Sequence, residues 1–568
     1  MEDGMSSATG HPFVYYFSRA CYTCRRRSSV YRMFKTEKRN IEKIVLVVFA
    51  ILLIIAQLFH EPWFDEAQAW QIARSASYKD MILTLPHYEG HPPFWHLLLS
   101  IPAKLGAPYE LSLKTISFIP AFLSALLLLF RSPFPLIIRC TLPFTYFFFY
   151  QYAVLSRPYG FLVLGFLLLA CIFEQRDEKP VLFVAVLAYI CMWSAYGIII
   201  AGGIALAWFV DIVRDKKLIT LKKTLALSVL FVFAMFLIAN IIPSTGVEGM
   251  KEKSNAGVGV TNVLCIMFAS VSECLFTDNF SGHQSIDNEA RSIADIGLPI
   301  ILGMLGVYSL LVMSAAKKLK YFLIPYILFT VFATVVYLYT HHIGILFAFV
   351  VFYAWIILAD DEEDRLYKLF FKRRIKYLST AGTILVMFMM SSSLIWTVSS
   401  VCLDIKYEYY YARDLAAFMI DHGLDHAKIF TPWNSVLDEE GNVKQEVNMA
   451  KYFVSVLPYM DDDSYVANLN LGRKDMAYTI HVDPDKDEVD DIIEQWRNMG
   501  YPEVVTRSTN LKVIFPDQDI PEYVPVYRIT YLSPSIWKGK IHQYGNDYLC
   551  VREDVLDKYG LQPIEIEE

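Results

Sequence analysis

The fold turns on the run Ile44-Val-Leu-Val-Val-Phe-Ala-Ile-Leu-Leu-Ile-Ile-Ala-Gln-Leu-Phe59, followed at once by His60-Glu-Pro-Trp-Phe-Asp65-Glu66-Ala-Gln-Ala-Trp70. The first segment carries no charge and the second is polar and acidic. A continuous apolar run of about 15–22 residues reads as a membrane-crossing helix. Working outward, similar runs lie near 92–105, 110–130, 133–152, 156–173, 180–197, 198–213, 222–243, 295–315, 321–340, 343–359 and 377–400. That makes about twelve predicted spans.

Composition agrees. Of 568 residues, 55% are hydrophobic and 19% charged, with a mean hydropathy of +0.36. An average soluble domain has about 45–50% apolar and about 25% charged residues. A single soluble enzyme, a disordered chain and a small disulfide scaffold are excluded. Continuous rather than alternating runs exclude a membrane β-barrel. Net charge is −7, with about −15 on residues 402–568 and about +8 on the rest. No basic field suits nucleic acid.

Basic flanks predict orientation. Arg25-Arg26-Arg27, Lys35, Lys38, Arg39 and Lys43 make residues 1–43 a cytoplasmic tail, too long before the apolar core for a cleaved signal peptide. Arg214 to Lys217, Lys317 to Lys320 and Lys372-Arg373-Arg374 are expected on the same side. The loops 60–91 and 244–294 and the region after Val401 then face outward. This needs an odd number of spans, so eleven or thirteen. The uncertain region is 92–152, where six prolines interrupt the runs.

After residue 400 the pattern changes. Glu408–Gly423 and Asp487–Met499 read as amphipathic helices. Lys428–Phe430, Val504–Thr506, Leu511–Phe515 and Tyr523–Leu532 read as strands. The expected fold is a polytopic α-helical membrane protein of 11–13 transmembrane helices (44–400) with a C-terminal extracytoplasmic α/β domain (401–568). Cys402 and Cys550 flank that domain and are candidates for a disulfide, which spacing alone does not establish. Cys21-Tyr-Thr-Cys24 is half of a zinc motif; two free or lipidated thiols are the plainer reading.

Four motifs stand out. In the first outer loop, Asp65 and Glu66 lie at a helix start, with Asp65 as the expected N-cap; an exposed acid on an interfacial helix anchored by Trp63 and Trp70 is the plain alternative. His87-Tyr-Glu89-Gly-His91-Pro92-Pro93-Phe-Trp-His96 precedes an apolar run. Here Glu89 and His91 join Asp65 at the same membrane face, against a plain interfacial turn. The three histidines suit zinc by type but show no established spacing, so no metal is assigned and a divalent ion stays open. Ser156-Arg157-Pro158-Tyr159-Gly160 puts a guanidinium beside hydrocarbon, where it snorkels or meets an anion such as phosphate. His341-His342, between two spans, are structural or hydrogen-bond a phosphate or acceptor. The glycine-containing loop 244–294, with Glu248, Glu273 and His283, reads as a lid or binding loop.

In this order the motifs resemble the type-C membrane glycosyltransferase superfamily, and within it the bacterial branch related to aminoarabinose transferase and protein O-mannosyltransferases. The matching text is Phe64-Asp65-Glu66-Ala67, Gly90-His91-Pro92-Pro93, Ser156-Arg157-Pro158-Tyr159, His341-His342 with Gly344, and the segment Tyr411 to Phe418. One departure is Thr340, where relatives often carry Arg. The resemblance implies transfer of a sugar from a polyprenyl-phosphate lipid to an acceptor on the outer side. It also implies Asp65 as general base with Glu66 assisting, and a substrate-binding set of Glu89, His91, Arg157, Tyr159, His341 and His342. The acceptor is a glycan, lipid or protein hydroxyl. A carboxylate at the membrane edge suits that proton transfer. A lipid phosphate is already a stable leaving anion, so donors and cations matter more than an acid.

Three other readings compete. A transporter or flippase of a lipid-linked or anionic substrate would use the same intramembrane Arg and His, although no inverted repeat is visible. A surface-polysaccharide polymerase or ligase would not require the Asp65-Glu66 loop. A membrane sensor would place function in the outer domain.

Overall fold

The computed structural model describes residues 29–242, 260–277, 293–314, 318–336, 338, 340–359, 375–407, 409, 411–430, 435–437, 443–446, 449–460, 465–466, 494, 496, 498, 500–505, 520–535 and 540–565. Among them six helices are long and apolar enough to cross a membrane: Arg39–Phe59, Tyr109–Arg131, Ala195–Arg214, Leu221–Ile241, His341–Leu358 and Val386–Lys406. At 1.5 Å per residue, 18–23 residues match a hydrocarbon core of about 30 Å. Five shorter apolar helices accompany them: Tyr159–Gln175, Pro180–Cys191, Cys265–Phe276, Gly297–Met313 and Lys320–Val335. Leu225, Val229, Phe231, Val232, Met235 and Phe236 are exposed along a single helix. Water would not tolerate so large an apolar face, so it belongs against lipid. The chain is a multi-pass membrane protein.

The two doubtful spans of the sequence are resolved. The run 92–105 forms a helix of only 11 residues, Phe94–Lys104, about half the length a span needs. The run 133–152 is not one helix. It breaks into Leu136–Thr141, a 3-10 turn at Leu142–Phe144 and a π-helix at Phe147–Val154. Pro143 and the crowded aromatics Phe147, Phe148 and Phe149 account for the break, and π turns recur at functional sites.

Two further stretches hold helices. Within the expected tail, the first helix starts at Ser29 and continues unbroken into the span. The presumed outer loop 244–294 holds helical segments at Val260–Leu264, Cys265–Ala269 and Ser270–Phe276. Its apolar side chains Ile266, Val271 and Cys274 are buried in the bundle, and Glu273 is buried with them. Glu248 and His283 lie outside the described residues, as do Cys21 and Cys24.

His341–Leu358 is the innermost span. Its apolar window is 83% buried, against 22–28% for the first, Leu221–Ile241 and Val386–Lys406 helices. At the far end of the helix that starts at Tyr159, Lys318 pairs with Glu174 at 2.6 Å, and Lys223 with Asp177 at 2.7 Å. That end lies roughly 20 Å from Arg157, by helical rise. The basic cluster and the Arg157 motif therefore occupy opposite ends of the bundle.

Among the described residues the C-terminal region contains seven strands: β1 Lys428–Phe430, β2 Ser435–Leu437, β3 Val443–Glu446, β4 Tyr465–Val466, β5 Val504–Val505, β6 Tyr523–Ser535 and β7 Lys540–Arg552. Five form one mixed sheet in the order β4-β1-β5-β7-β6, parallel across β1 and antiparallel on both sides of β7. β2 and β3 pair separately. Ile429, Val504, Leu549 and Val551 face Leu415, Ala416 and Met419 of the helix Ala412–Asp421 in a common core. The long hairpin partner β7 and the helix Met449–Val456 were not anticipated. The expected strand 511–515 lies outside the described residues. Cys402 is exposed and Cys550 is buried in the sheet; both are free thiols, so the candidate disulfide is absent.

Close packing around the break before the Tyr159 helix sets a test. A Cβ on Gly160 would stand 2.7 Å from the backbone oxygen of Tyr152, a contact that no rotamer relieves. Gly160→Ala should destabilise the bundle by about 1–3 kcal/mol. A thermal midpoint in detergent equal to that of the unaltered chain would show that the π segment is not seated against this helix.

Candidate active site

The first loop folds back as soon as it leaves the span. Pro62 prevents the first helix from continuing, and the next helix runs Phe64–Ser75 with Trp63 as N-cap. Asp65 is therefore not the cap. It is the second residue of the helix, where its charge complements the N-terminal dipole. Glu66, one residue later, points elsewhere, since successive helical residues project about 100° apart.

Asp65 pairs with Arg157. Arg157 comes from the short break between the π-helix and the helix Tyr159–Ile172, for which Pro158 serves as N-cap. Its guanidinium carbon lies 5.8 Å from the Trp63 ring and 5.6 Å from the Tyr159 ring. Arg157 is thus not snorkelling to the surface: it is mostly buried, flanked by two aromatic faces and an acid. Trp70 is not an interfacial anchor either. It is buried 5.5 Å from Tyr109, in a cluster with Trp95.

The late histidines reach the same neighbourhood. The rings of His341 and His342 are each 6.0 Å from Tyr159, and Tyr196 lies 4.5 Å from His342. Tyr152, from the π-helix, donates to the His341 carbonyl at 2.5 Å. Arg157 and His91 both lie within electrostatic reach of this pair. His91 follows Gly90, whose positive φ of 65° ends the Pro86–Glu89 turn as a left-handed cap. Burial draws the His91 imidazole down to about 4, so it is neutral at pH 7. Its Nδ1 is buried without a partner among the described residues.

Glu89 joins through Gln68, whose amide donates to Glu89 Oε1 at 3.1 Å from one turn beyond Asp65. Burial pushes the Glu89 carboxyl up to about 8. At neutral pH it is largely a carboxylic acid able to donate a hydrogen bond.

Glu66 behaves differently from its neighbour. It is wholly buried, accepting from the backbone N–H of Trp63 at 3.1 Å, from Ser156 N–H at 2.5 Å and from His60 Nε2 at 3.1 Å. Both oxygens are engaged by protein donors, so it braces the site from behind. The sequence reading missed the groups that support it. His60 also reaches Asp404 Oδ2 at 2.9 Å, which in turn accepts from Tyr150. Glu61 accepts from Arg413 N–H at 2.8 Å. Glu110 accepts from Arg413 and Tyr459, each at 2.8 Å, and from Lys114. Apart from Lys114, four residues from Glu110 on the same helix, these partners lie 254 to 352 residues apart, and no local pattern announces them. Among the described residues no three His, Cys, Asp or Glu side chains converge as metal ligands.

No protein-family model matches the chain, and no curated protein matches it. Among solved structures, the cryo-EM structure of the arabinofuranosyltransferase AftD from mycobacteria aligns over 89% of this chain and 40% of its own, at TM-score 0.35 and 10% identity. A mutant form of the same protein aligns over 89% and 41%, at TM-score 0.32 and 11% identity. The chain thus spans less than half the length of that protein. Superpositions this loose carry no argument about the site.

The raised Glu89 carboxyl gives a stability test. A carboxyl whose folded pKa lies above its unfolded value favours folding below about pH 4.5 and loses that contribution as pH rises through about 8. The thermal midpoint of Glu89→Gln should therefore gain on the unaltered chain between pH 5 and 8. Parallel curves across that range would refute a buried, protonated Glu89.

Proposed function

We propose that this chain is a membrane glycosyltransferase of the type-C superfamily, moving a sugar from a polyprenyl-phosphate donor to an acceptor hydroxyl at the outer membrane face. The observation that carries this reading is the Asp65–Arg157 pair. An acid and a phosphate-compatible cation, ninety residues apart in the chain, meet at the start of a helix just beyond the first span. The neighbouring His91, His341, His342 and Tyr159 add hydrogen-bonding groups around the same point.

In this proposal the donor phosphate competes for the Arg157 guanidinium, which suits its oxygens, and frees Asp65. Asp65 then takes the proton of the acceptor hydroxyl as its oxygen attacks the anomeric carbon. The bond between that carbon and the phosphate oxygen breaks, and polyprenyl phosphate leaves with the electron pair. A single displacement inverts the anomeric centre. Arg157 and the acid form of Glu89 meet the charge on the departing phosphate. Glu66 assists from behind by fixing the loop. The basic cluster at the opposite end of the bundle supports an outward-facing site under the positive-inside rule. The prenyl tail stays in lipid while its headgroup reaches the loop.

Asp65→Asn should retain folding and lower transfer by about a hundredfold or more in membranes supplied with polyprenyl-phosphate sugar. Full activity in that variant would remove the base from the scheme. Arg157→Ala should raise the donor KM at least about tenfold while moving the acceptor KM much less, as expected for a lost charge-assisted contact. An unchanged donor KM would detach Arg157 from the phosphate.

A further inference from the structure

We propose that His60, bridged between Asp404 and Glu66, is a positioning residue that sets the Asp65–Arg157 geometry from the last membrane helix. The inference rests on the glycosyltransferase reading for its kinetic part only. The bridge itself stands on geometry. His60 is almost wholly buried, with Nδ1 2.9 Å from Asp404 Oδ2 and Nε2 3.1 Å from Glu66 Oε2. Donation from both ring nitrogens at once requires the imidazolium. The Glu66 carboxylate carries that constraint in two directions. It holds the N–H of Trp63, which flanks Arg157, and the N–H of Ser156, which precedes Arg157. One carboxylate therefore fixes the residue before the cation and the turn that presents the acid.

Among the described residues, the titratable and charged groups facing His60 are Asp404 from the last helix, Glu66 from the Phe64–Ser75 helix, Tyr150 from the π segment through Asp404, and Tyr409 just beyond the last helix. Glu61 sits beside it on its own loop and is engaged by Arg413. The Tyr409 ring covers the imidazole at 5.1 Å and the Trp63 ring at 6.3 Å. Burial by itself would discharge the ring, but Asp404 and Glu66 raise it to about 10. The imidazolium then stands between two buried carboxyl groups and offsets their desolvation. His60 touches neither Asp65 nor Arg157 in this arrangement, so its effect passes through Glu66.

The test uses the full chain in detergent or nanodiscs, with two readouts. The first is the thermal midpoint against pH. A raised histidine contributes fully below about 6.5 and loses its contribution as pH rises through about 10. The unaltered chain should lose stability on that limb more steeply than His60→Gln; equal slopes would overturn the bridge. The second is the pH profile of transfer. Asp404→Asn keeps the shape and an acceptor oxygen but removes one charge, so His60 should discharge at lower pH. Its alkaline limb should move down by at least one pH unit, through kcat rather than either KM. Activity at pH 6 should stay within about threefold, and Asp404→Glu should restore the original limb. A profile of unchanged shape, or an Asp404→Asn chain that fails to fold even at pH 6, would reduce the bridge to a structural strut and overturn the proposal. Loss of all transfer in the unaltered chain, with the thermal limb intact, would sink the enzyme reading and leave the bridge standing.

Discussion

The rest of the site depends on a carboxylate that never meets water. Glu66 is fully buried, and an unpaired buried carboxylate costs several kcal/mol. Three donors offset that cost: the N–H of Trp63, the N–H of Ser156 and the His60 ring. Two come from the loop just ahead of Glu66 and one from the break before the Tyr159 helix, so satisfying one side chain ties two distant segments together. The adjacent Asp65 projects about a hundred degrees round the helix and stays partly open. Adjacency in the sequence thus divides the acids into one buried among backbone donors and one that stays partly exposed beside Arg157.

The same logic extends outward through Glu61 and Glu110. Arg413, at the start of the outer region, reaches both, by its backbone N–H and by its guanidinium. Tyr459 adds its hydroxyl to Glu110 and its ring to Tyr109, at 5.4 Å. The C-terminal region therefore rests directly on the Phe64–Ser75 helix and its neighbour, not on a free linker. Aromatic rings fill the junction because they bury large area while leaving a polar tip for a partner.

Much of this was legible in the sequence. Long uncharged runs located the spans, since hydrocarbon admits few other residues. Short runs misled. The segment 92–105 has the right composition but too little length once Lys104 and Gly106 end it. The segment 260–276 was hidden by its polar flanks, although Val263 to Val271 is apolar enough to bury. Asp65 and Arg157 stood out because charge beside hydrocarbon needs a reason. His60 and Asp404 did not, because each has an ordinary local setting at the end of an apolar run. Their partnership spans 344 residues and exists only in three dimensions.

Composition puts the frontier between the membrane part and the outer part near Val401, where apolar text gives way to acidic text. Physically the frontier lies elsewhere. Asp404 belongs to the last helix by hydrogen bonding and to the first loop by charge, and Tyr409 lies against His60 and Trp63. A chain ended at the compositional frontier would cut the last turn from the final span and strip the histidine of Asp404 and of its aromatic cover. The tail is thus no detachable module: its opening dozen residues are the keystone of the vault beneath it.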